Sequence, residues 1–213
     1  MTKLSFLWEV GCEEIPASWL PSLLEQFRDK FEEELAEAGF PDIQVVSSGT
    51  LRRLVVHVDK LSRKQEDRTE QVKGPPLRIA TDESGHWSEA ALGFAKKNGI
   101  DTKDLSVLAT PKGDYVGFEQ KIKGPETLTL LPQIMARTLR GLSVPKFMHW
   151  DATLEDGRGN FPFVRPIRWM VALFGTKIVP FSIHVVGSPL VRSGRKSRGH
   201  RFLTTKGRRA GAP

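Results

Sequence analysis

The opening strand and helix constrain the fold more than any other part of the chain. From Lys3 to Val10, the residues Leu4, Phe6, Trp8 and Val10 alternate with Ser5, Leu7 and Glu9, the period-two pattern of a strand with one face in a core. Gly11 ends that run. From Ser18 to Ala38 the period changes, and Leu20, Leu23, Leu24, Phe27, Phe31, Leu35 and Ala38 recur three or four apart, with Glu25, Arg28, Asp29, Glu32 and Glu33 opposite. Ser18 is the expected N-cap, Pro21 falls in the first turn, where its missing N–H is tolerated, and Gly39 suits the C-terminal cap.

Further along, Ile43–Ser48 and Leu51–Asp59 read as two β-rich segments around Gly49 and Thr50. The charged stretch Ser62–Lys73 is expected to be exposed, with a rigid turn at Gly74, Pro75 and Pro76. Trp87–Lys97 predicts a short helix with Ala90, Ala91 and Phe94 inward, closed by Asn98 and Gly99. A hairpin is expected over Val107–Ile122, turning at Lys112–Asp114. Pro125–Leu142 predicts a second long helix, with Leu128, Leu131, Ile134, Met135, Leu139 and Leu142 in its apolar stripe. Pro162 and Pro166 argue against an uninterrupted central strand in FPFVRPIRWMVALFG, and Ile178–Val186 is strand-like. Strands and helices are interspersed without a regular βαβ rhythm. The fold class expected is therefore α+β, a mixed sheet with flanking helices, without a domain boundary before the tail.

Charge bears on function through its placement. The net charge is +7, but eight of the 32 basic residues lie from Arg192 to Pro213, where there is no acid. The preceding residues balance 24 basic against 25 acidic. A basic block of this kind reads either as a nucleic-acid contact or as a solvated, partly disordered end. No apolar run approaches the roughly 18 residues of a membrane helix, and no secretory signal is visible. The single cysteine excludes an internal disulfide, so the cytoplasm is the expected location.

Chemistry-bearing motifs are sparse. No glycine cluster opens a helix after a strand, so phosphate-loop and dinucleotide fingerprints are absent. His57, His86, His149, His184 and His200 are scattered without metal-ligand spacing, and neither a metal site nor a bound cofactor is expected. Cys12, Glu13 and Glu14 lie between the first strand and helix, where a thiol beside two carboxylates invites a catalytic reading. One cysteine with unrelated histidines makes a weak nucleophile constellation. Glu13 and Glu14 fit a structural corner instead, favoured by the amides and dipole of the following helix, with Pro16 and Pro21 stiffening the entry. No catalytic residue is expected in this chain.

Two basic-aromatic groupings remain. Phe161, Phe163, Arg165, Arg168 and Trp169 form one, for which a core strand with arginine flanks is the competing reading. VRSGRKSRGHRF, residues 191–202, forms the other; there arginines can follow a phosphate backbone and Phe202 can stack on a base.

The same stretches carry a resemblance. FLWEVGCEEIPASWL, SGTLRRLVVHV, VKGPPLRIATDESGHWSEAALGFAKKNGI, KFMHW, FPFVRPIRWMVALFG and SRGHRFL, in this order and spacing, resemble the N-terminal part of the β subunit of bacterial heterotetrameric glycyl-tRNA synthetase. The resemblance spans nearly all of residues 3–203. It implies an α subunit that carries the class II core joining glycine to ATP, and a β subunit that contributes tRNA recognition, in a heterotetramer of two α and two β. It also implies architectural similarity to a domain of the phenylalanyl-tRNA synthetase β subunit. Glu13, Glu14 and Pro16 match the family's opening signature. Arg192, Arg195, Lys196, Arg198 and Arg201 are the family-consistent basic patch for tRNA(Gly) phosphates, with Arg52 and Arg53 as further candidates. ATP would be used by the complete enzyme, and this chain alone is expected to be inactive. The alternative function is a protein-protein docking module without RNA contact, acting through the apolar FPFVRPIRWMVALFG segment. The likeness fades after Leu203, and KGRRAGAP does not read as a continuation. The organisation expected is thus an α+β domain over 1–203 and a disordered or aberrant tail over 204–213, as in a truncated or frame-altered product.

Overall fold

The computed structural model describes residues 2–82, 85–111, 113–185 and 188–199, apart from the side chains of residues 150 and 188–190. The elements in chain order are β1 (Lys3–Cys12), a 3-10 turn (Ala17–Trp19), α1 (Leu20–Glu37), β2 (Val46–Thr50), β3 (Arg53–Ser62), β4 (Arg68–Pro76), α2 (Leu77–Ala80), α3 (Glu89–Asn98), a second 3-10 turn (Thr102–Asp104), β5 (Ser106–Thr110) and β6 (Gly113–Ile122). They continue with α4 (Thr127–Gly141), β7 (Met148–Trp150), β8 (Ala152–Thr153), β9 (Phe161–Phe163), β10 (Ile167–Phe174), β11 (Lys177–Ile178), β12 (Ser182–Val185) and β13 (Ser188–Gly194). This is an α+β fold. Within the span 1–203, two compact units separate: residues 66–124 form one, and the chain on either side forms the other.

The larger unit is built on a mixed sheet in the order β2-β3-β1-β10-β13-β12-β8, with β11 added to β10. Pairing is antiparallel except between β10 and β13, which run parallel. Register determines the two faces, because residues directly opposite one another share a side. On one face Val58, Phe6 and Phe174 form a row across three strands, followed by Val56, Trp8 and Ala172 and then Leu54, Val10 and Met170. Helix α1 covers this face with Leu23, Phe27, Phe31 and Leu35, each four residues from the next and at most 1 % exposed. Phe31 stacks on Phe6 at 5.2 Å between ring centroids, and Phe27 tilts against Trp8 at 4.8 Å. Full burial of such side chains contributes about 1.5–3 kcal/mol each. Helix α4 adds Leu131, Ile134, Met135 and Leu139 to the same core.

The end of α1 follows from Gly39, at φ +77°: Phe40 N–H bonds the Leu35 carbonyl at 2.9 Å and Gly39 N–H that of Ala36 at 2.9 Å, while Phe40 itself is buried. Its start differs from expectation. Trp19, not Ser18, is the N-cap residue, and no side chain caps it, because the Ala17–Trp19 turn carries the chain into the helix. The β2–β3 reversal also shifts, to Leu51 and Arg52. Gly49 stays in the ladder opposite Leu54, where a Cβ would stand 2.5 Å from the Arg53 carbonyl oxygen. The predicted 178–186 strand divides into β11 and β12 around Pro180, which has no amide for a ladder. Pro166 separates β9 from β10 as expected, and β10 lies between β1 and β13.

The smaller unit contains the three-stranded sheet β4-β6-β5 with α2 and α3. The expected hairpin is β5–β6, and the exposed charged stretch contributes strand β4. Gly74, Pro75 and Pro76 are not a free turn; they continue β4 through a register shift, and Pro76 caps α2. Ala91 and Ala95 of α3 face inward, whereas Ala90 is exposed. Gly99 closes α3 in the left-handed conformation. In the larger unit, the chain ends flanking this insertion pair with one another: Gln65 N–H donates to the Pro125 carbonyl at 3.0 Å and Thr127 N–H to that of Arg63 at 3.0 Å.

Candidate functional site

The face of the larger sheet opposite the helices gathers the predicted cations. Register again explains it. Arg53, Gly11 and Trp169 form one row across β3, β1 and β10, and Val55, Glu9 and Val171 form the next. Gly194 stands opposite Val171 in the parallel β10–β13 pairing, and Arg192, two residues earlier, shares its side. An open cleft of about 440 Å³ results, lined by Arg168, Trp169, Arg192, Arg195 and Lys196 over Met170, Ile178, Val191 and Gly194. Arg192, Arg195, Lys196 and Arg198 are all exposed.

Trp169 is the centre of this surface. The guanidinium carbons of Arg198 and Arg53 lie 5.3 Å and 5.8 Å from its ring centroid, and its Nε1–H donates to Glu9 Oε1 at 2.5 Å. Ser197 Oγ donates to the same oxygen at 2.5 Å. Arg53 lies 3.7 Å from Glu9 Oε2 and donates to the Arg198 carbonyl at 2.5 Å. Arg195 donates to the Thr176 carbonyl. The cations that face solvent are thus borne on a strand and on a segment tied down by side chains from β1 and β3. Such an arrangement can take several phosphates at once: Arg offers planar donor pairs and Lys a point charge.

The sequence candidates separate in an informative way. Arg192, Arg195, Lys196, Arg198 and Arg53 converge, and Arg168 and Trp169 join them from the other basic-aromatic grouping. Arg201, with Phe202 and the expected tail 204–213, lies outside the described residues. Arg52 does not join the cluster. It faces a second cleft with Glu13, Glu14 and Arg165, and its Nε is buried without a hydrogen-bond partner among the described residues. Two contributors, Glu9 and Ser197, escape sequence reasoning: Glu9 reads as the solvent-side residue of an alternating strand.

The Cys12–Glu14 corner is held by its backbone. Cys12, Glu13 and Ile15 donate their amides to the carbonyls of Arg52, Pro166 and Leu51 at 2.9, 3.0 and 2.6 Å. Glu13 forms an ion pair with Arg168, and Arg165 Nε donates to the Glu14 carbonyl at 3.0 Å. The acids precede the Ala17–Trp19 turn and do not cap α1, which begins at Leu20; the positive partner of Glu13 is a guanidinium and not the helix end. Pro16 accepts from the Trp19 amide at 2.9 Å and starts the turn. Cys12 is fully buried, and desolvation pushes its thiol up to about 12, with Arg52 opposing the shift. It has neither the thiolate nor the access that a nucleophile needs. Among the described residues no group of three or more His, Cys, Asp or Glu gathers as a metal would require, and no helix is long and apolar enough to cross a membrane.

Most apolar side chains of the FPFVRPIRWMVALFG segment lie in the interior. Phe161, Phe163, Val164, Ile167, Met170, Val171, Ala172 and Phe174 are all at most 4 % exposed, whereas Trp169 is half-buried on the face opposite the helices.

What fold and cleft define by themselves is a mixed-sheet body with a basic face. Comparison with known proteins sharpens this. Residues 6–210 match the family model described as glycyl-tRNA synthetase beta subunit. A glycine–tRNA ligase beta subunit of Syntrophus aciditrophicus is 39% identical over 197 residues, covering 92% of this chain and 27% of that protein. The Bacillus subtilis protein of the same name is 38% identical over 203 residues (95% and 28%), and that of Desulfitobacterium hafniense is 42% identical over 200 (93% and 27%). The chain belongs to the glycyl-tRNA synthetase beta subunit family. It spans about a quarter of the length of the curated relatives it matches.

Proposed function

We propose that this chain is the N-terminal part of a β subunit that supports ATP-dependent attachment of glycine to tRNA(Gly), and that its basic cleft receives tRNA phosphates. In this reading catalysis resides in the α subunit of a cytoplasmic heterotetramer of two α and two β. ATP is used by the complete enzyme, this chain binds no cofactor, and it forms no glycyl-tRNA alone. The observation that supports the reading is the convergence of Arg168, Arg192, Arg195 and Lys196 on one open cleft beside Trp169. Family membership supplies the nucleic acid that such a surface fits.

Salt dependence tests it directly. Counterion release makes affinity fall with salt in proportion to the phosphates neutralised. Titration of tRNA(Gly) with the chain should give a steep logarithmic salt slope. Replacing Arg192, Arg195, Lys196 and Arg198 with alanine should weaken binding and flatten that slope by about one unit for each phosphate no longer neutralised. Unchanged affinity and slope in that variant would remove the assignment.

A further inference from the structure

We infer that Glu9 is the positioning residue of the basic face, its buried carboxylate fixing Trp169, Arg53 and the segment 195–198 so that the cations stand in place before a phosphate backbone arrives. The inference rests on the reading of this face as an RNA-binding surface.

The argument starts from an anomaly of burial. Glu9 is 7 % exposed in the middle of β1, and its cross-strand neighbours are Val55 and Val171. A residue there for stability alone would be apolar, because a buried carboxylate carries a desolvation cost that even good pairing only offsets. The carboxylate instead collects groups from three separate parts of the chain. Trp169 reaches it from β10, Arg53 from β3, and Ser197 from beyond β13. Arg53 passes the connection on by donating to the Arg198 carbonyl.

These contacts matter because of what the held segment carries. Arg195, Lys196 and Arg198 lie past the end of β13, outside the ladder that aligns Arg192. With Arg192 and Arg168 nearby, like charges crowd one surface, and each repels its neighbours in the absence of RNA. A fixed anion beneath Arg53, with hydrogen bonds on either side of the Ser197–Arg198 peptide, opposes that repulsion and removes part of the ordering cost of binding. Glu9 need not touch RNA to do this.

The test compares the wild-type chain with Glu9→Gln, Ser197→Ala and the double variant Arg192→Ala/Lys196→Ala. Two measurements are made on each: tRNA(Gly) affinity as a function of salt, and hydrogen exchange of the amides at 193–199. Glu9→Gln keeps the shape of the side chain but removes the charge; it should speed exchange over 193–199, weaken tRNA binding about tenfold or more, and flatten the salt slope. Ser197→Ala should act in the same direction with smaller size. The double variant should weaken binding while leaving exchange as in the wild type. Wild-type affinity and slope in Glu9→Gln, with binding weakened in the double variant, would overturn the positioning role and leave the RNA reading standing. Unchanged binding in the double variant would overturn the RNA reading itself, and the positioning role with it. Should Glu9→Gln fail to fold, Ser197→Ala decides: wild-type affinity and slope there overturn the inference.

Discussion

Gly11 lies so close to Trp169 that a methyl group on its Cα would stand 1.9 Å from the indole Cε2. The rest of the basic face depends on this closeness, since Arg53 flanks Gly11 in the same cross-strand row and both Arg53 and Arg198 lie near the ring. Gly11→Ala should force the indole away from Glu9 and destabilise the fold by about 1–3 kcal/mol, the usual cost of overpacking. A lower urea midpoint at unchanged m-value is the expected observation.

Cys12 offers a pH-dependent prediction. The unfolded chain releases the thiol proton above its ordinary 9.0, whereas the buried thiol holds it to about 12. High pH therefore favours the unfolded chain. The contribution of Cys12 is constant below pH 9 and is lost as pH rises between about 9 and 12, at about 1.4 kcal/mol per unit. Cys12→Ala should show a flatter decline of melting temperature above pH 9 than the wild type. On the proposed reading Cys12→Ser should leave glycylation by the complete synthetase intact, since the thiol is buried and stays protonated; a large fall in turnover with folding preserved would count against this.

The insertion yields a third prediction. Gln65 and Pro125 are hydrogen-bonded to each other at 3.0 Å, so the larger unit already brings together the ends between which residues 66–124 run. Replacing 66–124 with a short glycine turn should leave a chain with a cooperative thermal transition and the near-ultraviolet circular dichroism of packed Trp8. Loss of that signal would show that the larger unit needs the insertion to fold.

The elements that sequence reasoning finds are those carried by local pattern. Strand β1, helices α1, α3 and α4 and the β5–β6 hairpin each announce themselves through spacing within a few turns or residues. Pairing between distant strands is not written that way. The parallel alignment of β10 with β13 turns two separate basic-aromatic groupings into one surface, and nothing in either grouping names the other. Glu9 illustrates the same point, because alternation predicts which side of β1 it occupies but not that residues near position 197 cover that side. Arg52 and Arg53 look interchangeable in sequence. One belongs to the turn and lines the cleft with Glu13 and Glu14, while the next opens β3 and lies near the Trp169 ring.

The hydrogen bond from Ser197 to Glu9 joins residues 188 positions apart. During synthesis the helix-covered core of β1 and α1 has its earliest partners within reach, but the basic face has no finished form until Ser197 has emerged. A nascent chain thus carries Glu9, Arg53 and Trp169 for some time before they are assembled with Arg195, Lys196 and Arg198. The basic face is therefore among the last features of this region to form, and it does so only once the sheet beneath it can close.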